Sequence, residues 1–291
     1  MAGTVLPSPC QAADRVPFEG AAMIRSSGLP ALEATFRGSP PLTFLIDTGN
    51  THSLLDLARA KALGVAVLPL LGPDGKPYAH YFSATLPAVR IGGADLGDLE
   101  VLVVDLQTGM AKGDLPKADG ILAYTAFKDR VLRMDYLHAR VALTAPLDSP
   151  FGAPARAVPL SNPTFGKEGP PIVAATGFEI NGRPVTVQID TLYAGTLLIY
   201  PTSVDKLGLQ AEAASRKERR FRFTDGGVSM VEGVSMTEGF QGIVLARRAP
   251  VYFATRDVHL PDGMFDGTVG SELFEGHVLT FDFHDHVFWL D

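Results

Sequence analysis

Residues 44–55 read FLIDTGNTHSLL, an apolar run that ends in a single carboxylate, Asp47. Thr48 and Gly49 follow at once. A carboxylate at the end of a buried strand costs free energy unless it is paired or performs a function. The stretch therefore raises the question whether Asp47 is a turn residue or half of a catalytic pair, and where a partner would lie.

The pattern of this stretch occurs a second time, in VQIDTLYAGTLLI at residues 187–199. Aligning Asp47 with Asp190 gives an offset of 143 residues (190 − 47). Upstream, VPFEG at Val16 matches VPLSN at Val158 with an offset of 142 (158 − 16). Offsets that stay so nearly constant indicate an internal duplication.

The two copies match best in the segments that begin at Asp119 and Asp266. These segments read DGILAYTAFKDRVLRMDYLHARVAL and DGTVGSELFEGHVLTFDFHDHVFWL, and they align without a gap over 25 residues at an offset of 147 (266 − 119). A repeat of this length is a whole domain. We therefore predict two lobes, residues 16–145 and residues 157–291, joined by the Pro-rich linker TAPLDSPFGAPAR at residues 144–156.

Each lobe is predicted to be mostly β, because its apolar runs are short and are bounded by Gly, Pro and Asp. Residues 88–106 have the pattern of a strand, a glycine turn and a second strand, and residues 277–290 that of a hairpin. The spacing of apolar residues predicts a short helix within residues 54–65. One or two helical turns are expected at AYTAF (residues 123–127) and at SELF (residues 271–274).

The composition argues against several function classes. The 291-residue chain has a formal net charge of −7, which argues against nucleic acid as a partner. A single cysteine, Cys10, excludes an internal disulfide framework and a thiolate metal cluster. No apolar run reaches the length of a membrane span. The first residues lack the basic and apolar regions of an intact signal peptide, so the compartment stays open between a cytoplasmic chain and a periplasmic or secreted chain whose leader has been removed.

Two aspartates at matching positions of a duplicated domain suit peptide hydrolysis, which needs an activated water and a proton donor for the leaving amine. Two carboxylates about 3 Å apart cannot both ionise, so the pair shares one proton. The ionised member takes a proton from water, and the protonated member polarises the scissile carbonyl. An interpretation of both aspartates as solvated turn residues does not explain why each follows an apolar strand in register.

The order of motifs resembles that of retropepsin-type aspartic proteases: LIDTG, then SLL, then an A..LGV segment, then DGIL before a closing hairpin. Those enzymes are dimers of two small β lobes, each with one Asp-Thr-Gly loop. The resemblance implies an all-β fold of two retropepsin-like β-barrel lobes with short helices, a pseudo-twofold axis and a cleft between the lobes, similar to the bilobal pepsin arrangement. It also implies an aspartic endopeptidase that acts on a peptide or protein substrate as a monomer, since both lobes belong to one chain.

The resemblance also implies roles for particular residues. Asp47 and Asp190 would form the catalytic dyad at the floor of the cleft. Thr48 and Thr191 would link the two loops through hydroxyl-to-backbone hydrogen bonds. Gly49 would let the substrate backbone approach closely, because glycine has no Cβ.

Two positions depart from the family pattern. Residues 121–123 and 268–270 would pack behind the loops, and Ala123 stands where the family usually has glycine. In the second loop, Leu192 replaces the glycine of Asp-Thr-Gly. Three outcomes stay open: a slightly shifted but active loop, an altered specificity because Leu192 and Tyr193 narrow the cleft, or a disabled site. The last outcome defines the alternative function, a peptide-binding pseudoprotease.

Retropepsin-like lobes each carry a hairpin, the flap, that covers the substrate, and Asp-Gly is a favoured hairpin turn. The candidate in the first lobe is GPDGKPYAHYFSA, which turns at Asp74 and Gly75. The candidate in the second lobe is FRFTDGGVSM, which turns at Asp225 and Gly226. The candidate substrate contacts on these hairpins are Tyr78, Tyr81 and Phe223.

Two other interpretations are set aside. His284, Asp285 and His286 are close in sequence, but their repeat counterparts at residues 137–139 are Leu, His and Ala. A polar hairpin tip is therefore favoured over a metal site, which needs ligands that converge from more than one segment. A serine hydrolase is not indicated, because the sequence contains no G-x-S-x-G motif. We expect neither a metal nor another cofactor.

Overall fold

Strands dominate the architecture, which confirms the all-β class. The computed structural model describes residues 20–26, 28–106, 116–146, 157–161, 174–210, 217–221, 228–232, 236–240, 243–249, 251–254 and 265–291. The helices in these ranges are short: α1 (Leu57–Ala62), α2 (Tyr124–Phe127), α3 (Pro201–Lys206) and a 3₁₀ helix (Ser271–Phe274). None of the helices in the described ranges is long and apolar enough to cross a bilayer.

The first lobe is built on an eight-stranded sheet. Its strands are β2 (Ile24–Ser26), β3 (Leu29–Ala34), β4 (Leu42–Ile46), β5 (Leu54–Asp56), β6 (Leu68–Leu71), β7 (Pro77–Ile91), β8 (Ala94–Val104) and β9 (Gly120–Leu122). Three further strands of this half, β1 (Ala21–Ala22), β10 (Val131–Asp135) and β11 (Arg140–Thr144), belong to the second sheet. The order in the sheet is β2-β3-β4-β9-β5-β8-β7-β6. An additional bridge between Thr35 and Arg90 brings β7 back to the chain that follows β3, so the sheet curls toward its own start.

Within the described residues the second sheet has fifteen strands, and it contains β1, β10 and β11 of the first half of the chain. Its other strands are β12 (Val158–Ser161), β13 (Ala174–Ile180), β14 (Arg183–Asp190), β15 (Leu197–Ile199), β16 (Lys217–Phe221), β17 (Val228–Glu232), β18 (Met236–Phe240), β19 (Ile243–Ala249), β20 (Val251–Ala254), β21 (Gly267–Gly270), β22 (Val278–Asp282) and β23 (Val287–Leu290). The main path is β1-β11-β10-β22-β23-β12-β13-β14-β21-β15-β20-β17-β16, and β18 pairs with β13 and β19.

The helix predicted within residues 54–65 is shorter than its apolar spacing indicates. Leu54–Asp56 is strand β5, because its backbone pairs with β8 and β9, and α1 begins only at Leu57. Asp56 is the N-cap, and its Oδ1 accepts a hydrogen bond of 3.0 Å from the backbone N–H of Arg59. The turns predicted at residues 123–127 and 271–274 are confirmed as α2 and the 3₁₀ helix.

Both lobes use the same strand connections around their aspartate. In the first lobe β9 lies between β4, to which it is parallel, and β5, to which it is antiparallel. In the second lobe β21 lies in the same way between β14 and β15. Gly120 and Gly267 are equivalent in the repeat, and a Cβ on either would overlap a neighbouring strand, at Phe44 and Leu198 respectively. This close packing places Asp47 directly after β4 and Asp190 at the end of β14.

The lobes are joined by an antiparallel pair, β10 and β22. Val131 pairs with Asp282, and Asp135 pairs with Val278. With the repeat offset of 147, Val131 is equivalent to residue 278 and Asp135 to residue 282. The two strands of this pair are therefore equivalent segments of the repeat, and the pairing is symmetric. An interface that maps onto itself in this way has twofold character. The local pseudo-twofold axis therefore passes between Arg133 and Thr280, which face each other.

Val16, which the sequence aligns with Val158, lies outside the described residues. Val158 pairs with Phe288, whose repeat counterpart is Val141, and Val141 pairs with Ala21. Ala21 therefore holds the place in the first half that Val158 holds in the second. Each of these short segments pairs with the outer strand of a hairpin. The hydrogen-bond register, rather than sequence identity between the two copies, determines which residues pair.

Aromatic packing behind this joint connects the two lobes. Phe127 of the first lobe lies 6.1 Å, centroid to centroid, from Phe283, which stacks on Phe281 at 5.5 Å. Phe281 packs against Phe288 at 4.9 Å, and Phe288 against Phe178 at 6.4 Å. Each such ring contributes roughly 1.5–3 kcal/mol when it is fully buried. The core is therefore continuous from one lobe into the other and supports the strand ends that carry the aspartates.

Candidate active site

The loops after β4 and β14 are held together by two threonines. The hydroxyl of Thr48 donates to the carbonyl of Ile189 at 2.8 Å, and the hydroxyl of Thr191 donates to the carbonyl of Ile46 at 2.6 Å. Each hydroxyl oxygen also accepts the backbone N–H of the other threonine, at 3.1 and 3.3 Å. These are the hydroxyl-to-backbone bonds that the resemblance implies, and both threonines are buried.

The two aspartates accept hydrogen bonds from their own loops. Asp47 is only 7% exposed, and its Oδ1 accepts the N–H of Gly49 at 2.9 Å. Oδ1 of Asp190 accepts the N–H groups of Leu192 and Tyr193 at 2.8 and 3.0 Å. A Cβ added to Gly49 would lie 2.5 Å from Cγ of Asp190. The Asp190 side chain thus lies against the backbone of the opposite loop, and position 49 has no room for a side chain.

Burial disfavours ionisation of both carboxyls, and the charge of Asp190 disfavours it further at Asp47. Burial raises the pKa of Asp47 well above its usual range, and the negative charge of Asp190 raises that pKa further. Hydrogen bonds from Gly49 and Asn50 act in the opposite direction but are weaker. Burial also raises the pKa of Asp190, against the backbone N–H groups of Leu192 and Tyr193. Two coupled carboxyls with raised pKa values hold a shared proton over a range of pH in which ordinary aspartates are ionised.

Leu192 occupies the position of the missing glycine without breaking the loop. Its backbone N–H still donates to Asp190. Its half-buried side chain packs against a small apolar cluster of the first lobe, formed by Ala31, Leu45, Leu54, Val104, Leu106, Ala118 and Ile121. The extra side chain therefore adds contact between the lobes.

Part of the chain matches a known family model. Residues 32–126 match the family model for aspartyl proteases. The matched segment contains the Asp47 loop, α1 and α2, and the prediction of an aspartic protease-type fold is confirmed. No curated protein matches the sequence significantly.

Two solved structures resemble the chain along most of its length. Basic 7S globulin from soybean is 12% identical with a TM-score of 0.47, and the alignment covers 93% of this chain and 94% of that one. A structure described as edgp is 10% identical with a TM-score of 0.49, and covers 95% of this chain and 96% of its own.

The second departure from the aspartyl protease pattern, Ala123, is accommodated by its surroundings. Ala123 is fully buried, and its N–H donates to Oγ of Ser53 at 3.0 Å. At the equivalent Gly270, a Cβ would overlap the carbonyl oxygens of Tyr193 and Gly195. The first lobe has room for a methyl group behind its loop, and the second does not.

Sequence reasoning missed Asp119, which ties the helix of the first lobe to its aspartate strand. Oδ2 of Asp119 accepts the N–H of Thr43 on β4 at 2.8 Å, and Oδ1 accepts Nε of Arg59 on α1 at 2.7 Å. The signal was present, because Asp119 opens the segment in which the two copies match best.

Asp266 does the same in the second lobe. Its Oδ2 accepts the N–H of Thr186 on β14 at 2.8 Å, and its Oδ1 accepts Oγ of Ser203 at 3.0 Å and Nζ of Lys206 at 2.7 Å. Asp119 and Asp266 therefore each hold the strand that precedes an aspartate loop against the following helix, through different partners.

The hairpin predicted as the first flap is present. Strands β6 and β7 pair with Leu71 opposite Pro77, and the turn between them contains Asp74 and Gly75, which has φ of 75°. Tyr78 is 51% exposed and Tyr81 47% exposed. Their contact with substrate stays a prediction. The second predicted flap turn, Asp225 and Gly226, lies outside the described residues.

A group of possible cation ligands lies at the tip of the β22–β23 hairpin. Ligand atoms of Asp282, His284 and Asp285 lie within 4.8 Å of one another. Oδ1 of Asp282 already accepts the backbone N–H groups of His284 and Asp285, at 3.1 and 2.9 Å, as a turn aspartate does. His286 does not belong to this group, and the expectation of no metal site stays a prediction.

Proposed function

We propose that this chain is an aspartic endopeptidase, a hydrolase that cleaves peptide bonds with a water molecule activated by Asp47 and Asp190. The observation that carries the proposal is the reciprocal bonding of Thr48 and Thr191, which holds two aspartate loops from different lobes against each other. A pair of turn aspartates on the surface has no need of such an arrangement. Neighbouring aspartates whose pKa values are both raised by burial are a frequent mark of catalytic sites.

The raised pKa values supply both roles that hydrolysis needs. One proton on the pair leaves one carboxylate to accept a proton from water as that water attacks the scissile carbonyl. The protonated carboxyl donates to the carbonyl oxygen, on which negative charge develops. As the tetrahedral adduct collapses, the pair gives its proton to the leaving nitrogen, the C–N bond breaks, and the hydroxyl that becomes the new carbonyl returns its proton to the pair. The pair ends with one shared proton, as it began.

The contacts of Leu192 favour an active enzyme over a peptide-binding pseudoprotease. Its N–H preserves the hydrogen bond that a glycine would make to Asp190, at 2.8 Å. Its side chain lies against apolar groups of the first lobe rather than in an open position. Since both lobes come from one chain, we propose that the active form is a monomer.

The test is cleavage of a denatured protein and of a diverse peptide library from about pH 3 to about pH 8, where shared-proton dyads titrate. Wild type is compared with Asp47→Asn and with Asp285→Asn, a matched control at an exposed turn. We expect cleavage by wild type and by Asp285→Asn, and none by Asp47→Asn. Cleavage that survives Asp47→Asn would refute the dyad. Binding of peptides without cleavage would favour the pseudoprotease.

A further inference from the structure

Gln188 is a buried amide close to the candidate dyad with a partner on the opposite lobe. It lies on β14, two residues before Asp190, and is 8% exposed. Its Nε2 donates to the backbone carbonyl of Gly49 at 2.8 Å. Placing a polar side chain in such a site costs free energy unless its donors and acceptors are satisfied.

The other end of the Gln188 amide is also bonded. Its Oε1 accepts the hydroxyl of Thr268 at 3.4 Å, and Oγ1 of Thr268 lies 2.5 Å from the hydroxyl of Tyr200. All three side chains are buried. A carbonyl on one side and a hydroxyl on the other assign which end of the amide is nitrogen. The chain of bonds therefore fixes the rotamer of Gln188 and directs its N–H toward Gly49.

The first lobe has no equivalent of this polar contact. The repeat offset of 143 makes Gln188 equivalent to Leu45 and Gly49 equivalent to Leu192. Leu45 belongs to the apolar cluster on which Leu192 packs. Each loop thus rests on the other lobe at the same position. The Gly49 carbonyl meets the Gln188 amide, whereas Leu192 packs on the apolar cluster that contains Leu45.

Gly49 is held on both sides of its residue. Its N–H donates to Oδ1 of Asp47, and its carbonyl accepts from Gln188. Glycine has the widest range of backbone conformations, so the bond from Gln188 to its carbonyl restrains a residue that has no side chain to do so. We propose that Gln188 is a positioning residue for the dyad, which orients the Gly49 backbone so that its N–H stabilises the ionised form of the pair. This inference rests on the proposed peptidase function.

The first experiment compares Gln188→Leu with wild type and with Gln210→Leu. Gln188→Leu installs the residue found at the equivalent Leu45. Gln210 is an exposed amide that donates to Asp205 at 2.9 Å and serves as the matched control. We expect Gln188→Leu to lower kcat about tenfold while KM stays within about twofold, because one oriented hydrogen bond is lost from the catalytic loop and none from substrate contacts. The acidic limb of its pH–kcat profile should move to higher pH, because the anion of the pair loses support.

Gln188→Glu separates positioning from packing. Its protonated carboxyl can donate to the Gly49 carbonyl, whereas its ionised form cannot and adds a negative charge near the pair. We expect Gln188→Glu to retain kcat near that of wild type at acidic pH and to lose it on the alkaline side at a lower pH than wild type does. The variant preserves side-chain volume, so it also serves if Gln188→Leu does not fold. A Gln188→Glu profile that parallels wild type at all pH values, or a Gln188→Leu kcat equal to that of Gln210→Leu, overturns the inference.

A second readout does not depend on turnover. The carboxyl carbons of ¹³C-labelled aspartates are titrated by NMR, with the Asp47 signal assigned by its loss in Asp47→Asn. In Gln188→Leu that signal should titrate about half a pH unit higher than in wild type. If wild type cleaves nothing, the peptidase proposal fails, and this titration alone decides the inference: an unchanged midpoint overturns it, and a raised midpoint supports it.

Discussion

Thr48→Val is the sharpest perturbation of the joint between the two loops. Valine keeps nearly the same shape, so no cavity opens, but two buried groups lose their partners. The carbonyl of Ile189 loses the donor at 2.8 Å, and the N–H of Thr191 loses the acceptor at 3.3 Å. Each buried group left without a partner costs about 1–3 kcal/mol. We expect the free energy of unfolding to fall by about 2–6 kcal/mol.

The assay is unfolding in guanidinium chloride, followed by fluorescence. Trp289 is the one tryptophan of the sequence, and it lies buried on β23, next to the strand pair that joins the lobes. Its emission therefore reports loss of structure near the joint. Thr48→Ser keeps the hydroxyl and removes one methyl group, so it should cost only about 1 kcal/mol. Thr85→Val removes a hydroxyl that bonds Glu100 on an exposed surface and should cost less than about 1 kcal/mol.

The reasoning is refuted if the free energies of unfolding of Thr48→Val and Thr48→Ser differ by less than about 0.5 kcal/mol. The hydroxyl of Thr48 would then contribute no more to stability than its γ-methyl group does. The slope of the denaturant dependence should stay the same in all variants, since the surface exposed on unfolding does not change. A changed slope in Thr48→Val alone would mean that the lobes separate before they unfold, which contradicts a continuous core.

Three further predictions concern the dyad and its neighbours. Gly49→Ala should abolish cleavage and lower the free energy of unfolding by about 1–3 kcal/mol, because the added Cβ would overlap the Asp190 side chain. In the control Gly93→Ala the added Cβ meets no atom within 4 Å, so both properties should stay unchanged. Peptide cleavage and denaturant unfolding are measured for both variants. Leu192→Gly should lower stability by about 1–3 kcal/mol and reduce kcat, since packing between the lobes is lost, and a rise in kcat would show that Leu192 disables the site. Burial raises the pKa of the Asp47 carboxyl in the folded protein above its pKa in the unfolded chain. The stability contributed by the protonated carboxyl is therefore complete below the unfolded-chain pKa and is lost as the pH rises through the raised pKa of the folded protein. The free energy of unfolding of Asp47→Asn should therefore fall less with rising pH than that of wild type.

The duplication made much of the fold predictable. Asp47 and Asp190 follow equivalent strands, and the segments from Asp119 and Asp266 align without a gap, so an arrangement seen once had to occur twice. The helical turns within these segments and the β22–β23 hairpin were predictable from the same alignment. The strand pairing of Val158 was not, because short edge strands carry little pattern and their register depends on tertiary hydrogen bonds.

The asymmetric part of the site was hidden from the sequence for a different reason. Gln188 and Leu192 depart from their counterparts Leu45 and Gly49, and a departure from a repeat does not reveal which residues it compensates. Each has a contact on the other lobe, about 140 residues away along the chain. Only the register of the two loops shows that Gln188 meets the backbone of Gly49.

The strand pair at the joint has a consequence for the order of assembly. Residues 131–135 can pair only after residues 278–282 have been synthesised. Their hydrogen bonds therefore close one of the longest loops of the chain. Contacts of such sequence separation form slowly, because a large loss of chain entropy precedes any gain. Until they form, β10 is an open sheet edge, which is a site for pairing with other chains. Chaperone binding and aggregation should therefore be greatest before β22 pairs with β10. A peptide with the sequence of β22 should bind β10 and hold the chain in this incompletely paired state.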